Sequence, residues 1–181
     1  GGTTYASAAS GRIAMYYQNT FSGSFTPGYL QKQDTADTIF NADFETANLS
    51  QWTSNANDGG NLSASDAADY WGVQGMSALV NDNNAIYVQD DTPSNETQYR
   101  TRFYMNPNSL TMATNDVLDL FTGRNGTTEV VRIQLQKTAT SYQIRSGLLN
   151  DAGTWTDTSW YDVPNTWSAV EIQYQAFAYS G

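Results

Sequence analysis

From Tyr99 to Met105 the side chains alternate without a break: Tyr99, Thr101, Phe103 and Met105 on one side, Arg100, Arg102 and Tyr104 on the other. Period-two sorting belongs to a strand with one face in a core and one outside it. The stretch before it, NDNNAIYVQ, is also strand-like, and Asp90, Asp91, Thr92, Pro93, Ser94 and Asn95 between the two are turn formers. The pattern over 81–110 predicts an antiparallel hairpin with a long loop. Residues 117–121, 129–137, 142–149 and 169–177 form further short runs bounded by turn residues. No segment holds a helical period over three turns, residues 110–120 coming nearest. The expected fold class is all-β, an antiparallel sandwich.

Composition narrows the chemistry. The 181 residues contain neither cysteine nor histidine. That removes disulfides, thiolate metal sites, cysteine nucleophiles, the Ser-His-Asp arrangement and most zinc chemistry. Eighteen acids against eight bases give a net charge of -10. A chain so acidic is repelled by phosphate backbones and anionic lipid, so nucleic acid and membranes are not expected partners. A surface rich in Asn, Thr, Ser, Gly and Tyr with only Lys32 and Lys137 as lysines fits an extracellular or cell-surface protein. No apolar run reaches the length of a membrane span, and we expect a signal peptide to have been removed before Gly1.

Residues 1–40 read as an arm: a Gly, Ser, Thr and Ala stretch, one alternating run over 12–18, and a connector punctuated by Gly, Ser and Pro. In the run, Ile13, Met15 and Tyr17 share a face, as in a strand that has no partner nearby in sequence. The sandwich is expected over 41–181.

FETANLSQW, NDNNAIYVQDDTPSNETQYRTRFYMNPNSL, VVRIQLQ, YQIRSGLLNDAGTWTDTSWYDV and AVEIQYQA follow one another as in a concanavalin A-like jelly roll, which residues 41–178 resemble. Such LamG and carbohydrate-binding-module domains recur in large secreted bacterial surface proteins, so the resemblance implies a jelly-roll sandwich and, loosely, adhesion or sugar binding. In the family the strand matching residues 169–178 leads through a Gly-rich link into closing strands. Here the sequence resembling those strands, SGRIAMYYQNT, lies at the other end of the chain. FAYSG joined to GGTTYASAASGRIAMYYQNT would read as continuous family sequence, so the unit looks permuted across a subunit boundary. An incomplete sandwich exposes an open edge, and a strand from another copy covers it. Such a contact is head-to-tail and propagates. The competing arrangement has Ile13, Met15 and Tyr17 fold back onto their own sandwich.

Two functional expectations follow. The first is a non-enzymatic structural subunit of a surface filament or tandem adhesin stalk, whose partners are copies of itself joined through Ile13, Met15 and Tyr17. The alternative is a secreted lectin-like module that binds glycans through the outward face of its strands. Arg100, Arg102, Tyr104, Arg132, Gln134 and Arg145 would supply directional hydrogen bonds, and Trp155, Trp160 or Trp167 a stacking surface. Glycoside hydrolases of similar fold carry E-x-D-x-x-E on one strand. This chain has Glu171, Gln173 and Gln175 there, with amides in place of acids, so no hydrolase is expected.

The opening FE-x-x-N-L-x-x-W resembles calcium-containing carbohydrate-binding modules, which implies structural calcium as the cofactor, held by Glu45 with Asp43. Asn48, Asn61, Asn95 and Asn125 each begin an Asn-x-Ser/Thr triplet and are glycosylation candidates.

Overall fold

A computed structural model describes residues 40–92 and 98–175. The strand expected over 12–18, with Ile13, Met15 and Tyr17, and the candidate Asn95 lie outside the described residues. About half of the described residues lie in strands, all paired antiparallel as alternation predicted, with two 3-10 turns (Asp58–Gly60 and Asp66–Ala68) as the other regular elements, and the chain falls into two units divided between residues 95 and 96.

In residues 40–92 the strands are short because Asn, Asp and Gly interrupt every run. β1 (Ser54–Ala56) pairs with β4 (Tyr87–Gln89), and β2 (Leu62–Ser65) with β3 (Gly75–Ala78). Leu62 is buried, and the rings of Phe40 and Phe44 lie 4.5 and 6.3 Å from that of Trp52.

Residues 98–175 build two sheets. β5 (Gln98–Met105) pairs along its whole length with β11 (Ser168–Gln175). The other sheet runs β10 (Tyr161–Val163), β8 (Tyr142–Leu149), β7 (Thr128–Lys137), β6 (Val117–Asn125), with β9 (Trp155–Asp157) sharing the outer edge of β8. Among the described residues β4 takes β1 as its partner and β5 takes β11, in place of the partner each was expected to find in the hairpin over 81–110. Residues 110–116 contain no helix, only turns closed by Leu110 N donating to Pro107 O and Asp116 N to Ala113 O.

Alternation decides which way each strand faces. On β7, Val131, Ile133 and Leu135 are buried while Arg132 and Gln136 emerge on the other face. Ile133 and Ile144 of the larger sheet form one core with Val170 and Ile172 of β11. Phe103, Met105, Leu120, Phe121 and Val163 close around them. A register shift between Asp119 and Phe121 inserts a residue into β6, so that Leu120 and Phe121, neighbours in sequence, both reach this core. Each fully buried isoleucine contributes about 1.5–3 kcal/mol through removal of apolar surface from water. The two sheets therefore hold each other, and the outer face of each is left for polar residues.

Candidate functional site

The outer face of the larger sheet gathers five of the residues expected to touch sugar. β-Pairing places Arg132, Gly147 and Asp157 in one row across β7, β8 and β9, and Asp119, Gln134 and Arg145 in the next across β6, β7 and β8. Arg132 Nη2 donates to both oxygens of Asp157 at 2.9 and 3.0 Å, and Arg145 Nη1 lies 3.3 Å from Asp157 Oδ2. Arg145 Nε donates to Gln134 Oε1 at 2.9 Å, and Gln134 Nε2 passes the chain on to Asp119 at 2.8 Å. Trp155 covers the Arg132 guanidinium at 4.1 Å and Trp160 covers that of Arg145 at 4.6 Å. Arg132, Gln134, Arg145, Trp155 and Trp160 thus come together.

The arrangement turns many of its polar groups on one another. One carboxylate serves two guanidiniums, each guanidinium is stacked on an indole, and Gln134, only 8% exposed, spends its amide and its carbonyl within the sheet. Arg132 Nε is buried against this assembly without a hydrogen-bond partner. Cation–π stacking, about 0.5–2 kcal/mol, partly offsets that loss. Chemically the face is a neutralised brace across four strands.

Arg100, Arg102 and Tyr104 are not part of it. They lie on β5, in the other sheet, and face away from the core with Glu171 of β11. Glu171 forks between the two guanidiniums, accepting from Arg100 Nε at 2.9 Å and Arg102 Nε at 3.0 Å and from both Nη2 groups. The bond from Arg102 foremost, then that from Arg100, holds the Glu171 carboxyl below the usual glutamate value of 4.5. The same bond raises Arg102 above its ordinary value. The single outward face predicted from sequence is two faces on opposite sides of one core.

Glu45 and Asp43 belong to residues 40–92, and their oxygens are turned to other work. Glu45 accepts from Val73 N at 2.9 Å and Gln74 N at 3.3 Å, and Asp43 Oδ1 accepts from Glu45 N and Gln51 Nε2. Both carboxylates keep lone pairs beyond these bonds, and among the described residues no third carboxylate gathers beside the pair that the resemblance implied for calcium. Glu45 instead ties down the loop of residues 69–74, where Trp71 stands 88% exposed.

Of the glycosylation candidates, Asn125 is exposed at the tip of the β6–β7 hairpin. Asn48 is exposed and its side chain is folded onto Thr46 O and Ser50 N. Asn61 is half-buried, its amide donating to Asp58 and Asn81. Asp157, Asp119 and Gly147 are the members of the brace that sequence reasoning missed. Trp155 and Asp157, two apart in a strand, share a face with Trp155 already singled out, and a glycine inside the β8 run marks a close approach. Comparison with protein-family models, curated proteins and solved structures gave no match.

Proposed function

We propose that the chain is a non-enzymatic extracellular structural subunit, a jelly-roll unit of a surface filament or adhesin stalk in which residues 12–18 of one copy pair with the sheet edge of the next. The observation that carries this reading is an imbalance between the layers. Five strands stand on one side of the core and, among the described residues, β5 and β11 alone on the other. Among the described residues no strand lies beside the outer edge of the eight-residue β11, where every second residue turns its N–H and C=O outward, and such an edge invites another strand. Ile13, Met15 and Tyr17 supply the alternation such a strand needs to continue the inner face made by Val170 and Ile172.

Two further observations support a structural role. The residues best suited to sugar on the larger sheet are committed to one another, and a ligand would have to displace bonds to Asp157 and Gln134. Glu171, the acid where a hydrolase would carry a catalytic carboxylate, is clamped in its charged form by two arginines and is poorly placed to deliver a proton. The lectin-like alternative draws its support from the convergence of Trp155 and Trp160 on one face. Deleting residues 1–20 separates the two readings: the subunit reading requires loss of polymer in electron micrographs and sedimentation, whereas persistence of polymer would refute it.

A further inference from the structure

Charge and exposed apolar surface are unevenly shared along the chain. Residues 40–92 carry eight acids and no lysine or arginine, while residues 98–175 carry six bases against seven acids. Of the nine large apolar side chains exposed among the described residues, five lie within residues 70–79: Tyr70, Trp71, Val73, Met76 and Leu79. Trp71 is 88% exposed, and Asp66 and Asp69, close by in sequence, are exposed with it. The loop that presents the indole is closed and pinned. Its ends meet at Gly75, where a β-carbon would lie 1.8 Å from Ala68 O, and just past Trp71 the Glu45 carboxylate accepts from Val73 N and Gln74 N. A partner that takes up this indole does not have to order the loop first.

We propose that this loop docks on the outer face of the β5–β11 sheet of a second copy of the chain, with Trp71 stacked on the Arg100 and Arg102 guanidiniums and Asp66 and Asp69 facing their charge. The two surfaces complement each other. The side chains of Arg100 and Arg102 are 60% and 56% exposed, and Glu171, the one acid between them, leaves the trio net positive in a chain of net charge -10. Tyr104, 46% exposed, and Gln173, opposite Arg100 in the ladder, continue the same outward face. Elsewhere in the molecule tryptophan already stacks on arginine, Trp155 on Arg132 at 4.1 Å and Trp160 on Arg145 at 4.6 Å. Such a contact strengthens once the partner excludes water from it. Acids beside the indole add attraction and steer the approach, and they repel the equally acidic loop of another copy. The contact therefore joins unlike surfaces, loop to sheet. It uses neither residues 12–18 nor the open edge of β11, so it is separate from strand donation.

Because the chain has no cysteine, single introduced cysteines report the contact without background. Full-length chains carrying Val73→Cys are mixed with chains of different mass carrying Gln173→Cys, both exposed positions, and oxidised briefly. We expect the mixed disulfide to exceed either homodimer at least about tenfold, and Trp71→Ala in the first chain to lower its yield by at least about tenfold, as for a central aromatic anchor. Asp66→Asn together with Asp69→Asn should slow its formation and flatten its dependence on salt. Thermal melting shows which variants are folded. A mixed disulfide no more abundant than chance, an undiminished yield from a folded Trp71→Ala chain, or a disulfide that forms only when one chain carries both cysteines would each overturn the proposal. Polymer that persists without the mixed disulfide would refute this contact and leave strand donation standing.

Discussion

Arg132 and Asp157 meet across β8 with only Gly147 between them, and that glycine is what lets them touch. A β-carbon at Gly147 would collide with Asp157 Oδ1 and come within 2.9 Å of Arg132 Nε. Gly147→Ala should therefore cost about 1–3 kcal/mol, the range for forcing volume into a filled site. Asp157→Ala leaves two guanidiniums uncompensated and should cost a similar about 1–3 kcal/mol. Because both changes break one network, the double variant should cost clearly less than the two single costs added together. Urea unfolding of all four proteins checks this.

Ile133 and Ile172 are both wholly buried and lie in the same cluster from opposite sheets. Truncating either to alanine should remove about 2–5 kcal/mol. Thermal unfolding should show a lowered midpoint for each, much larger than for Thr128→Ala at the exposed start of β7.

Glu171 makes stability depend on pH in a stated direction. Its carboxyl titrates lower in the folded chain than in the unfolded one, so the folded state gains from its charge above the ordinary value of 4.5 and loses that gain as pH falls below it toward the folded value. At neutral pH Glu171→Gln should destabilise by about 1 kcal/mol, modest because Arg100 and Arg102 are more than half exposed. The difference between wild type and variant should shrink steadily below pH 4.5, read from denaturant midpoints across the acid range.

The loop bearing Trp71 depends on Glu45. With that carboxylate removed in Glu45→Ala, the amides of Val73 and Gln74 lose their acceptors, and hydrogen exchange at both should accelerate while Ile133 and Ile144 keep their protection. Gly72 sits with φ at 116° where a β-carbon would strike Glu45 Oε1, so Gly72→Ala should release the same amides.

Strand identity was legible wherever one face is core. β5 emerges with the strict alternation read from Tyr99 to Met105, and the run predicted over 142–149 is β8 from end to end. Partner choice was not legible, since period two says which face a residue takes and nothing of which strand lies beside it. Hence β5 was expected to pair back on 81–90, whereas Glu171 and its neighbours on β11, far along the chain, fill that place. The outward arginines illustrate the same gap. Arg102 and Arg132 look equivalent in sequence, and only the pairing of β5 with β11 and of β7 with β8 sends them to different sheets. Glu45 was read through a motif, but the backbone amides of Val73 and Gln74 that occupy it belong to a loop that no spacing rule connects to residue 45.

Strand donation between copies is tested most directly by solid-state magnetic resonance on polymer assembled from an equal mixture of ¹⁵N-labelled and ¹³C-labelled chains. Signals that pass between residues 12–18 of one label and 168–175 of the other can arise only across a subunit boundary. Such cross-peaks are expected, in an antiparallel or parallel ladder along β11. Contacts between those segments found only in uniformly doubly labelled chains, and absent from the mixture, would place the strand in its own sandwich and rule out donation.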